Sequence, residues 1–515
     1  MHLARLFRRL SERWGERIAL EDADGRAWRT RDLVGRMFRF GHVLRGIGLD
    51  RGERVAILIP DKREFIECDF GAMVAGLVRV PLNPSATDEE LAAQIADADA
   101  HVLVIDAGFT EFRSRLLDAL RGSVQIVVIG GRLAGAHEYE SALTRASDCP
   151  PTEPIEGADL ASLNYTGGTT GAPKGVMLSQ GNICAIVQNA LLGRPIGTED
   201  VFLNMRQLWP IASISVLFHL IGGARIILGG RFEPEAFLAR AQRHRVTRSS
   251  LVPTQLVRLL DSADPHAFDL SALVSIDMGA AKVGDEMFER AFEALGPRIG
   301  VLYGLTEASW TCYLPPQLLG GSPERRGRLM KSVGRELFAY RVETVDPSGQ
   351  AVAPGEMGEI AITGPNVMQG YWRRPEATAA AIKGGRLHTG DLGRIDDEGF
   401  LYIEGRLKDV IRSGAMSVVP QEVEETLLRH PAVAEAAVIG VPDREWGEMV
   451  MAFIALKPGA SADHAALDTH CRSHLAPYKR PREFMFLAEL PKSHYGKVLK
   501  GDLAKLRSQG TSGPH

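Results

Sequence analysis

The chain has 515 residues, 45% of them hydrophobic and 24% charged, with a formal net charge of −4. That length exceeds what a single core serves and predicts more than one domain, and the near-neutral balance gives no global attraction to nucleic acid or to an anionic membrane. Cys68, Cys149, Cys184, Cys312 and Cys471 are scattered, with no C-x-x-C pair, which argues against a disulfide framework and a structural zinc site and suits a reducing cytoplasm. Residues 1–10 carry four basic side chains with no apolar run behind them, so an amphipathic first helix is expected rather than a signal peptide or a membrane span. Next, 55–59 reads as a buried strand, 64–77 as a helix, 78–81 as a strand, 89–98 as a helix and 102–105 as a strand. The strand pattern returns at 124–129, 224–228 and 249–252, with a helix at 234–244. Short apolar runs alternating with helices predict an α/β fold of layered sheets and helices, parallel for much of its extent. From about residue 332 the strands shorten and are punctuated by glycine, as at 340–345 and 358–362, which marks a β-rich subdomain. A helix at 420–428 and strands at 433–441 and 450–456 describe a small C-terminal α+β domain. The expected organisation is an N-terminal domain over 1–405, a hinge at 406–409, a lid over 410–507 and a disordered tail from 508 to 515.

Residues 165–175 read Tyr165-Thr166-Gly167-Gly168-Thr169-Thr170-Gly171-Ala172-Pro173-Lys174-Gly175. Glycines let backbone N–H groups approach phosphate oxygens, threonine hydroxyls add donors, and Lys174 adds a positive charge. The run suits a loop that grips a nucleoside triphosphate; alone it also suits a solvated turn. Tyr303-Gly304-Leu305-Thr306-Glu307 follows an apolar strand, where open α/β sheets hold ligands, so Thr306 is a candidate phosphate contact and Glu307 a candidate ligand for Mg²⁺. In Thr389-Gly390-Asp391-Leu392-Gly393 one carboxylate sits in what reads as a tight turn, able to accept from ribose hydroxyls. Arg406 and Lys408 follow, and Lys497 lies in Tyr495-Gly496-Lys497-Val498. Taken singly, Asp391 suits a plain turn, Lys497 a solvated charge and Glu307 a helix cap.

In this order and at these spacings the segments resemble the adenylate-forming superfamily, which includes acyl-CoA and aryl-CoA synthetases, peptide synthetase adenylation domains and luciferase. The resemblance runs from about residue 10 to 505. It implies that Thr166 to Lys174 is the phosphate loop, with Gly167 where many members carry serine, and that Gly279, Ala280 and Ala281 flank adenine. It implies that Tyr303 and Gly304 line the nucleotide, that Thr306 and Glu307 meet the α-phosphate and magnesium, and that Asp391 and Arg406 meet the ribose. Lys408 matches the hinge, and Lys497 matches the lysine bridging the carboxylate and the α-phosphate. The implied cofactors are ATP and Mg²⁺. The implied reaction is attack of a carboxylate on ATP to give an acyl-AMP and pyrophosphate, followed by transfer to CoA, or alternatively to an amine or a carrier-protein thiol.

Three departures bear on substrate and acceptor. Leu302 stands where the family usually has glycine before the tyrosine, which shortens or reshapes the acyl pocket. Met205-Arg206-Gln207-Leu208-Trp209-Pro210 lacks the histidine expected there, so Leu208 and Trp209 are pocket candidates favouring a small or aromatic acid, although a tryptophan here equally suits the core. No nearby aspartate is seen for an α-amino group, which disfavours an amino acid. After the hinge, Ser413-Gly414-Ala415-Met416-Ser417 places Ala415 where many CoA ligases have glycine, so Gly414 and Ala415 are candidates for the acceptor tunnel, one methyl narrower than usual.

Overall fold

The computed structural model describes residues 1–152, 154–166, 173–279, 284–413, 416–444, 446–492 and 498–510. They divide into two compact units, one of residues 1–341 and 362–387 and the other of 342–361 and 388–510. The boundary expected at 406–409 falls inside the second unit, which holds both the β-rich segment and the C-terminal α+β segment.

The first unit is built on two sheets. In one, strands Val78–Pro81, Arg54–Leu58, Ala100–Asp106 and Gln125–Ile129 lie side by side and parallel. In the other, Val201–Asn204, Arg248–Leu251, Ser275–Met278 and Ile299–Leu305 do the same. Their apolar runs are buried, as parallel strands covered on both faces require. Each sheet then turns antiparallel at one side. Leu160–Thr166 pairs with Lys174–Ser179, and Ile299–Leu305 pairs with Ala308–Leu314. These two hairpins carry the phosphate-loop sequence and the Thr306-Glu307 pair.

Local chemistry sets the helices. Asp88–Ala98 begins with a reciprocal Thr87–Glu90 capping box, and Pro234–Arg243 opens with proline at its first position. The helix expected over 64–77 spans Arg63–Val74; Gly76, at φ +71°, takes the chain out of the helix. It is buried almost all round, with Phe65, Ile66 and Phe70 fully enclosed and Glu67 and Asp69 among them.

In the second unit, the long hairpin of Val433–Asp443 and Gly447–Leu456 has apolar side chains on both faces. Val438, Val450 and Ile454 pack with Val423 and Leu467 in one core, while Ile439, Met451 and Phe453 pack with Leu490 and Leu503 in another. This period-two alternation lets one ribbon serve two layers. The start of the expected disordered tail is corrected. Residues 508–510 complete the helix Lys500–Gly510, because a last turn is closed by backbone bonds to the preceding one and needs no apolar content of its own; 511–515 lie outside the described residues. All five cysteines are free.

Candidate active site

Thr166 ends one strand of the first hairpin and Lys174 begins the other, directly opposite it in register. Gly167, Gly168, Thr169, Thr170 and Gly171 lie outside the described residues. The Lys174 ammonium stands over the ring of Tyr371, 5.1 Å from its centroid, and the Tyr371 hydroxyl donates to Glu307 Oε1 at 2.9 Å. Burial and the Glu307 carboxylate push the Tyr371 hydroxyl above its ordinary range, so it keeps the proton it donates. The foot of the expected phosphate loop and the candidate magnesium carboxylate, far apart in sequence, therefore meet through one tyrosine.

Nothing in the sequence singles out that tyrosine. It belongs to Gly370-Tyr371, a two-residue strand that pairs with Met177 and Val176 on the edge of the phosphate hairpin. Neighbouring groups pin the same segment. Met368 N–H donates to the Glu307 carbonyl at 2.8 Å, buried Asn366 donates to the Ser309 carbonyl at 3.2 Å, and the Trp372 indole donates to the Asp97 carbonyl at 2.9 Å. Tyr165, next to the loop, donates to the Asp97 carboxylate at 2.7 Å. The sequence signal is two adjacent aromatic residues after a glycine, a pattern that ordinary packing also produces.

Thr306 and Glu307 form the turn of the second hairpin, at the end of the strand where the open-sheet argument puts them. Tyr303 is buried. A side chain at Gly304 would sit 2.7 Å from the Trp310 backbone nitrogen, so glycine is required for the strands to close. Gly279 follows Ser275–Met278, and a Cβ there would lie 3.6 Å from Leu302; the leucine side chain thus covers the bare backbone beside the expected adenine segment. Ala280 and Ala281 lie outside the described residues.

Leu208 and Trp209 are buried on a segment whose Trp209-Pro210 peptide is cis. The Leu208 N–H donates to Asp61 at 2.7 Å, and burial pushes the Asp61 carboxyl up to about 6. Behind the segment, fully buried Arg79 reaches Asp69 at 2.7 Å, the Pro210 carbonyl at 3.1 Å and Asn164 at 3.2 Å, and Ser213 donates to the other Asp69 oxygen at 2.8 Å.

A second buried cation lies on the face that Leu302 occupies. Arg194, 2% exposed, stands 2.8 Å from Asp277 and within 5.1 Å of the ring centroids of both Trp310 and Tyr313. The Tyr313 hydroxyl donates to the other Asp277 oxygen at 2.8 Å. His219, stacked on Phe202, is held neutral by burial and by the Arg194 charge. Sequence reasoning places none of Arg194, Asp277 and Trp310 here.

In the second unit, Asp391 is buried and lies 3.0 Å from Arg406 Nε, its partner in register on the facing strand. The tight turn expected at 389–393 is instead part of the strand Arg386–Ile395. Gly390, at φ +72°, supplies a kink inside it, and the kink is fixed by Glu359 accepting from Gly390 N–H at 3.0 Å and by Thr389 donating to the Ile360 carbonyl at 2.8 Å. Lys408 lies in the short Leu407–Asp409 turn. Gly414 and Ala415, between the paired strands Ile411–Ser413 and Met416–Val418, and Lys497 lie outside the described residues.

Two family models match the chain, AMP-binding enzyme over residues 7–372 and AMP-binding enzyme C-terminal domain over 422–497. It is 35% identical to a feruloyl-CoA synthase from an Amycolatopsis species, over 93% of this chain and 94% of that protein. Among solved structures it is similar to ATP-bound MatB from Rhodopseudomonas palustris, with a TM-score of 0.89, 29% identity and coverage of 98% and 99%. It is also similar to the amide bond synthetase McbA from Marinactinospora thermotolerans, with a TM-score of 0.87, 30% identity and coverage of 98% and 99%. The chain belongs to the AMP-binding enzymes. It is an ATP-dependent, AMP-forming acid ligase. Among the described residues, no helix is long and apolar enough to cross a membrane.

Proposed function

We propose that this ligase activates a small or aromatic carboxylic acid as its acyl-AMP and passes the acyl group to CoA. A carboxylate oxygen attacks the α-phosphorus of ATP, the bond to the bridging oxygen breaks, and pyrophosphate leaves. The observation that carries the reading is the convergence of Lys174, Tyr371 and Glu307. A carboxylate tied to the foot of the expected phosphate loop fits Mg²⁺, which commonly takes one or two protein carboxylates and completes its shell with phosphates and water. Bound there, the ion would neutralise charge on the departing pyrophosphate. Glu307 would hold it, Lys174 and Thr306 would meet phosphate oxygens, Asp391 and Arg406 would orient the ribose, and the 279–281 segment would border the adenine. Lys497 carries positive charge to the reacting carboxylate and α-phosphate, and Lys408 is the pivot between half-reactions. Leu302 over Gly279 supports a short pocket.

A second reading, transfer to an amine or a carrier-protein thiol, is favoured by Ala415 in place of the usual glycine and by the similarity to an amide bond synthetase. Pyrophosphate release measured across aromatic and short aliphatic acids, with CoA, amines or no acceptor, separates the two. CoA thioester formation is the expected result; amide formation, or acyl-AMP that CoA fails to discharge, would replace it with the second reading. Asp391→Asn keeps the side-chain volume and removes the charge. It is expected to raise the KM for ATP about 10-fold, and a change below twofold would remove Asp391 from ribose binding.

A further inference from the structure

The acid-ligase reading leaves open what the acid looks like beyond its carboxylate. Arg194 bears on this, because its Nε and Nη1 have no hydrogen-bond partner among the described residues although the side chain is 2% exposed. A guanidinium buried with unpartnered N–H groups is costly unless something completes it. Its surroundings belong to the pocket face. Leu302 pairs in register with Tyr313, so both point to one side of the sheet, and Asp277 and Gly279 share a face at period two. Gly300 leaves room for the Asp277–Tyr313 hydrogen bond on that face, since a Cβ there would fall 2.6 Å from Asp277 Oδ1 and 2.8 Å from the Tyr313 hydroxyl. Leu302 stands four residues before Thr306, roughly 13 Å of extended strand. A group reaching Arg194 therefore belongs to the end of the acid away from the reacting carboxylate.

Resting on that reading, we propose that Arg194, paired with Asp277 under the acyl pocket, donates to a neutral oxygen, a hydroxyl or carbonyl, at the far end of the substrate acid. Charge selects the neutral group. The Asp277 carboxylate already balances the guanidinium, so a second carboxylate would bring an uncompensated negative charge into a buried site. The flanking Trp310, Tyr313 and Phe218 rings favour an aromatic acid, stacking on its ring while Arg194 reads its substituent.

The test compares matched acids by kcat/KM for acid-dependent pyrophosphate release: benzoate with 4-hydroxybenzoate, and cinnamate with its 4-hydroxy and 4-carboxy derivatives. The native enzyme is expected to favour a 4-hydroxy acid over its parent by roughly 10- to 100-fold. Arg194→Met should bring that ratio close to one, and Arg194→Lys should keep part of it. A native ratio within threefold for both pairs, a preference for the 4-carboxy acid, or an equal loss on both members of a pair in Arg194→Met would each overturn the proposal. If Arg194→Met does not fold by thermal shift, the native ratio alone decides. Release with the parent acids but no discrimination leaves adenylation standing and removes only this inference; no release with any acid removes both.

Discussion

Glu307→Gln is expected to lower acid-dependent pyrophosphate release by about 10²- to 10³-fold, the usual cost of deleting one preorganised electrostatic contact to a transition state. The substitution isolates charge. Glutamine fills the same volume, its carbonyl can still accept the Tyr371 hydroxyl that lies 2.9 Å from Glu307, and the backbone bond from Met368 is untouched. What disappears is the anion that would hold Mg²⁺. Tyr371→Phe is the companion variant, since it leaves the carboxylate and removes only its hydrogen bond, worth about 1.5–3 kcal/mol when one partner is charged. The loss in Glu307→Gln should also depend on Mg²⁺ concentration, because a weakened site is partly refilled by mass action. A variant retaining more than a third of native activity at every Mg²⁺ concentration would remove Glu307 from the metal.

The second large effect concerns stability. Arg79→Met should cost about 3–5 kcal/mol of unfolding free energy, because it strands the Asp69 carboxylate in the interior with Ser213 as its remaining hydrogen-bond partner among the described residues. Native Asp69 already has its carboxyl pushed up by burial, against the opposing pull of Arg79. Denaturant unfolding of the two single variants and of Arg79→Met with Asp69→Leu checks this. The double variant should recover much of the loss, since replacing both members of a buried pair by apolar groups is far gentler than removing one. A loss below about 1 kcal/mol in Arg79→Met would show that the network is not a strut. The guanidinium also holds the Pro210 carbonyl, so the single variant should loosen the segment bearing Leu208 and Trp209 and raise the KM for the acid more than that for ATP.

The strands are legible in the sequence because burial on both faces leaves uninterrupted apolar runs, as in 55–59, and the helices because their caps and spacing are local. The motif residues of the first unit, Lys174, Thr306 and Glu307, are also readable, since phosphate chemistry demands glycine, hydroxyl and charge close together in sequence. Other features are not. Arg79 and Arg194 carry no sequence signal of their own, because only the fold shows the carboxylates, Asp69 and Asp277, that make their burial tolerable. Asp391 between two glycines suggests a turn, whereas strand pairing with Arg406 overrides that local preference. Tyr371 acts through partners far away in sequence, which no local pattern encodes.

The first unit is not one stretch of chain: it leaves at residue 341 and returns at 362. The returning stretch brings Asn366, Met368, Tyr371 and Trp372, the side chains and amides that brace both hairpins. A recombinant fragment trimmed at 341 would therefore lack its own last strand, baring the backbone of Lys174–Ser179 to any passing chain and inviting aggregation. The shortest fragment fit for crystallising or labelling this unit alone must run to residue 387, with the intervening 342–361 segment bridged by a linker.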